Sequence, residues 1–171
     1  MKGLSTWLFS KVVMLVFLVS TFAIMTGVLA IVKERSFADS AEALAFQIKD
    51  AFQGVISTSA LSSQKVVPIP ERLPDDVKSA SPRTYRVEIT AGNGKISTAV
   101  AWQLGGQNKY VASSLLYYSG PFSFTPASLA FNSDSRYLVI SKKMTGAVSI
   151  VCIKACNKTI TGGGFAQCTL C

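Results

Sequence analysis

The chain has 171 residues, a net charge of +8, no histidine, 49% hydrophobic residues and only 15% charged ones. That much apolar surface excludes disorder throughout, and a single apolar run of membrane-spanning length excludes a polytopic membrane protein. Without histidine there is no Ser-His-Asp triad, no Cys-His dyad and no His-ligated metal.

The first element in chain order is an uncharged run, Val12 to Val32. As a helix it measures about 32 Å, which matches a hydrocarbon core of ~30 Å. Trp7 suits the interface belt, Lys11 can snorkel to the headgroups, and Lys33-Glu34-Arg35 forms an interfacial stop. A cleaved secretory signal is the competing reading, with Val28-Leu29-Ala30 as a loose cleavage site. The run is longer than the ~7–15 residues of a signal core, which favours a retained anchor. Lysines and arginines are nearly balanced across the span, so they leave its orientation open.

Beyond Arg35 the pattern becomes amphipathic. Phe37, Ala41, Leu44, Ala45, Ile48, Ala51, Phe52 and Val55 recur at steps of three and four, while Asp39, Glu42, Gln47, Lys49 and Asp50 avoid that stripe. No proline occurs before Pro68, and Gly54 is the natural stop. The expectation is one helix from about Leu4 to Phe52, a membrane span (12–32) continued by an amphipathic segment (33–55). Residues 1–11 precede the span as a short terminal segment.

Residues 56–83 hold four of the six prolines and read as a connector. Val66-Val67 is expected to pair briefly there. From Thr84 the period changes to two. Tyr85, Val87 and Ile89 alternate with Arg86 and Glu88, and Asn93-Gly94 supplies a type I′ turn. With that turn as the loop, Tyr85 faces Trp102, Val87 faces Val100 and Ile89 faces Thr98, so the apolar residues share one face. Further strands are expected at Lys109–Tyr118, around Phe122–Phe131, at Arg136–Ser141 and at Val148–Lys154. The fold class is α+β: a long N-terminal helix packed on an antiparallel sheet head spanning 84–171.

All four cysteines lie near the end: Cys152, Cys156, Cys168 and Cys171. Beyond a membrane anchor disulfides are permitted, and this places the head outside the cytoplasm. Thr161–Gly164 can turn a hairpin that brings Cys156 near Cys168 and Cys152 near Cys171, so nested bridges are favoured. The other connectivities stay open, as do a four-thiolate zinc site and a Cys168–Cys171 redox pair. Asn157-Lys158-Thr159 is a glycosylation sequon.

A helix that is apolar first and amphipathic later, carrying a β head stapled near its end, resembles type IV pilins and pseudopilins. Met1-Lys2-Gly3-Leu4-Ser5-Thr6 is similar to the archaeal prepilin site. The resemblance implies cleavage between Gly3 and Leu4 and a filament core made of the apolar helices. Leu8 stands where many bacterial pilins carry a glutamate, which archaeal pilins often lack. Implied partners are membrane lipid and copies of the chain or related subunits.

Catalytic groups are sparse. From Thr84 to Cys171 the only carboxylate side chains are Glu88 and Asp134, against eight lysines and arginines. Those charges are scattered rather than run together, which reads as a solvated surface and not a nucleic-acid arm. Neighbouring Ser141 and Lys142 face opposite ways on a strand, and Gly162-Gly163-Gly164 lacks the Lys-Ser of a phosphate loop. The expectation is a structural subunit with no cofactor and no enzymatic activity. The alternative is a single-pass surface adhesin or ligand-binding module with a basic head.

Overall fold

The computed structural model describes residues 2–73, 84–104 and 107–156, with side chains except at 2–6, 8, 103, 104 and 107–111. Its first element is a single helix, α1 (Lys2–Ser57), of 56 residues and about 84 Å. Every described side chain from Phe9 to Val32 is exposed. The first buried residue is Phe37, two residues beyond Arg35, and from there the expected stripe goes under: Ala41, Leu44, Ala45, Ile48, Phe52 and Val55 are all buried. The helix therefore changes environment at its charged stop without changing conformation. It also runs past Gly54. Val55 is fully buried and Ile56 packs on the core, and that burial outweighs the ~1 kcal/mol that glycine costs in a helix.

Eight strands follow: β1 (Ser62–Pro68), β2 (Tyr85–Gly92), β3 (Lys95–Leu104), β4 (Gln107–Tyr117), β5 (Phe122–Thr125), β6 (Ser128–Asn132), β7 (Tyr137–Thr145) and β8 (Val148–Cys156). They form two four-stranded sheets rather than the one foreseen, ordered β1-β7-β8-β5 and β4-β3-β2-β6. The connector contributes a full strand, since β1 pairs with β7 along its whole length. The segment around Phe122–Phe131 divides at Pro126 between the two sheets, and β5 pairs with β8 in parallel. All other pairs are antiparallel.

The β2–β3 hairpin has the expected register, with Tyr85 opposite Trp102, Val87 opposite Val100 and Ile89 opposite Thr98. Asn93 and Gly94 take φ of 52° and 72°, the pair of positive values that a type I′ turn needs.

The amphipathic half of α1 lies against β3 and β4 of one sheet and β1 and β7 of the other. Both sheets turn alternate residues toward it. From one come Tyr85, Val87, Ile89, Ile96, Val100 and Trp102; from the other come Val67, Leu138, Ile140, Val151 and Ile153. Each sheet has one apolar face, and the helix stripe is the surface that lets both bury it.

Candidate functional site: the helix and the seam that holds it

The two halves of α1 present different chemistry. In the apolar half the two threonine hydroxyls at 21 and 26 are satisfied inside the helix. Thr21 Oγ1 donates to the Phe17 carbonyl at 2.8 Å, and Thr26 Oγ1 donates to Ala23 at 2.9 Å. That is the arrangement a hydrocarbon surrounding demands, because no water is present to take up the protons. At its start the Lys11 ammonium lies 5.7 Å from the centre of the Trp7 ring, a cation–π contact suited to an interface. Among the described residues this is the one helix long and apolar enough to cross a bilayer.

In the second half, polar ties fix the head to the helix backbone. Buried Ser114 Oγ on β4 donates to the Ala45 carbonyl at 3.0 Å. Ser63 Oγ on β1 donates to the Val55 carbonyl at 3.4 Å, and the Lys142 ammonium on β7 donates to the Thr58 carbonyl. The last turn of α1 has no basic residue of its own. A strand from the head thus delivers both a donor and a positive charge to the negative end of the helix. Phe37 and Trp102, with ring centroids 5.9 Å apart, close the other end of the seam.

Lys142 was one of the scattered surface charges in the sequence, yet it is only 6% exposed. Its position was legible in principle. On a strand prolonged to Thr145, Lys142 shares the inward parity of Leu138 and Ile140. The serines of the seam carried no comparable signal.

Tyr85 makes a fourth tie, within the head. It is buried to 1% exposure, and its hydroxyl donates to the Pro70 carbonyl, pinning the segment after β1 to β2. Burial pushes the phenol well above the ordinary tyrosine range. The folded chain therefore holds this proton where an unfolded tyrosine loses it. Stability contributed by the neutral phenol is complete below about pH 10 and declines as pH rises further. Denaturant unfolding between pH 8 and 11.5 is expected to show that decline, and Tyr85→Phe is expected to make it shallower. The same variant loses about 1 kcal/mol at neutral pH, the net worth of the hydrogen bond.

Gly3 and Leu4 lie in the backbone of α1. Cys152 and Cys156 lie on β8, four residues and thus about 13 Å apart along an extended strand. They point to the same face of that strand but cannot bridge each other. Nor can both bind one zinc ion, whose thiolates meet within ~4 Å, so the four-thiolate alternative is overturned. There is no free cysteine among the described residues. Cys168, Cys171 and Asn157 lie outside the described residues, as does the expected turn at 161–164. Ser141 lies opposite Cys152 on the face turned from the helix, while Lys142 reaches the helix end. Glu88 pairs with Arg86 at 3.1 Å on the outer face of β2, and Asp134 is exposed in the turn after β6. Among the described residues no three Cys, Asp or Glu side chains converge as metal ligands.

A cleft of about 310 Å3 opens beside the last turns of α1, lined by Gln53, Ile56 and Ser57 of the helix and by Leu116, Tyr117, Tyr118 and Phe122. Its floor is aromatic: Tyr118 packs edge-on to Phe122 at 5.8 Å and against Phe124 at 5.1 Å.

No protein-family model, curated protein or solved structure matches this chain.

Proposed function

We propose that this chain is a membrane-anchored structural subunit of a pilus-like assembly, with its β head outside the cytoplasm. The observation that carries the reading is the unbroken helix α1. Its first half is exposed and apolar on every side, and its second half is the spine of the head. A simple tether needs no rigid link between span and domain. A subunit that packs its apolar helix among copies of itself does, because the helix must hold the head at a fixed angle and height. Residues 12–32 meet lipid before assembly and neighbouring helices after it. Gly3 precedes the scissile bond and Leu4 begins the mature helix. Cys152 bonds Cys171, and Cys156 bonds Cys168. The absence of a free thiol on β8 and the distance that forbids a Cys152–Cys156 bridge support a bridge from each of these to Cys168 or Cys171, and the hairpin expected at 161–164 favours the nested order. Asn157 is the glycan acceptor.

The test is an intact-mass measurement on the native, unreduced chain, made on material sheared from cells and on the membrane fraction. The expected result is sheared polymer whose subunit begins at Leu4 and lacks four thiol hydrogens. An intact Met1 in polymer overturns the processing step. A chain found only as discrete membrane particles overturns the subunit reading in favour of a single-pass adhesin. A soluble product starting near Ile31 overturns the anchor, and four free thiols overturn the outward head.

A further inference from the structure

The face of α1 turned away from the head is not uniformly polar. Arg35, Glu42 and Lys49 are spaced by seven, so they line one ridge, and their signs alternate: plus, minus, plus. Arg35 and Glu42 are exposed, and Lys49 is half-buried with its ammonium 5.5 Å from the ring centre of Phe46. Phe46 is itself 45% exposed on this face. Gln53, at the mouth of the aromatic cleft, stands seven residues beyond Phe46. A knob and a hole thus sit on one side of one helix, two turns or about 10.5 Å apart.

We propose that a second copy of this chain docks parallel to the first along this ridge, shifted by two helical turns. The proposal rests on the assembly reading and adds its register. Two copies anchored in one membrane with their heads on one side run parallel. At zero shift, Arg35 faces Arg35, Glu42 faces Glu42 and Lys49 faces Lys49. A shift of seven residues sets Arg35 of the raised copy against Glu42 of the lower one, and Glu42 against Lys49. The same shift brings Phe46 level with Gln53 and the cleft. Asp39 then faces Phe46, and Asp50 comes level with Ser57, at the helix end that the Lys142 ammonium caps. One displacement pairs Arg35 with Glu42, Glu42 with Lys49 and Phe46 with the cleft.

Such a contact joins different stretches of one ridge, so the knob of the lower copy and the cleft of the raised copy stay outside the pair. The raised copy also lifts about seven apolar residues out of the bilayer. Those residues need other copies around them, which suits an assembly leaving the membrane rather than a dimer within it.

Charge reversal separates the two registers. In full-length protein reconstituted from detergent, Glu42→Lys makes all three ridge charges positive. It is expected to lower the assembled fraction about tenfold through two like-charge contacts. The triple variant Arg35→Glu/Glu42→Lys/Lys49→Glu restores alternation and is expected to recover assembly to within about twofold. A benzoyl-phenylalanine photocrosslinker in place of Phe46 is expected to join peptides carrying Gln53–Ser57 or Leu116–Phe122 of another copy. Crosslinks from 46 to 46, with Glu42→Lys harmless, overturn the shift and leave assembly standing. Wild-type protein that stays monomeric at every concentration overturns assembly itself. Exposed substitutions that unchanged near-ultraviolet dichroism shows to be folded keep these outcomes distinct from misfolding.

Discussion

Phe52→Ala is expected to destabilise the head by about 3–5 kcal/mol, the usual cost of truncating a fully buried phenylalanine and leaving a cavity. Phe52 is 0% exposed and belongs to the core that both sheets share with α1. The void would sit in the interface the two sheets share with the helix, where neither sheet can close it without leaving the other. Against a total of about 5–15 kcal/mol for a typical domain, that loss is a large fraction. Urea unfolding of the micelle-bound chain, followed by Trp102 fluorescence against a Trp7→Phe background, measures it. The midpoint is expected to fall while the helical signal of residues 9–32 persists. An unchanged midpoint would show that the head folds without its spine.

Lys142→Met comes second. Methionine keeps most of the stem volume and removes the ammonium, leaving the Thr58 carbonyl without its charged donor. A hydrogen bond from a charged group contributes about 1.5–3 kcal/mol, and the cation at the helix C-terminus adds a share of that size or less. The expected loss is about 2 kcal/mol, against less than about 0.5 kcal/mol for the exposed neighbour Lys143→Met. Added salt is expected to shrink the difference only slightly, because the contact is part-buried and poorly screened. Equal effects at 142 and 143 would place the Lys142 contribution in general surface charge rather than at the helix end.

Much of the architecture was legible without coordinates, and for local reasons. The helix pattern needs only neighbours three and four apart, so all eight residues from Phe37 to Val55 that the sequence assigns to the stripe are the ones that turn inward. The β2–β3 register follows from turn chemistry at Asn93-Gly94 and the period-two pattern that flanks it. What failed was non-local. Nothing near Ser62–Pro68 reveals that it will pair with Tyr137–Thr145, about seventy residues away. Nothing within Phe122–Asn132 shows that its two parts join different sheets. Gly54 read as a stop because propensity is a local quantity, whereas the burial of Val55 and Ile56 that carries the helix onward is tertiary.

The candidate surfaces divide the same way. The alternating charges at Arg35, Glu42 and Lys49 are a property of the sequence, fixed by spacing once the helix is granted. The cleft beside Gln53 is not, since it needs Tyr117, Tyr118 and Phe122 brought to the helix end by β4 and β5. By itself the sequence determined one apolar span, one helical stripe, one hairpin register and the clustering of all four cysteines near its end. Each rests on contacts within a few residues or on composition. Only the tertiary structure decided that two sheets share the helix, that β5 runs parallel to β8, and that Lys142 leaves the surface to cap α1. Those outcomes depend on which distant apolar faces bury each other best, and on which buried carbonyls then need a donor.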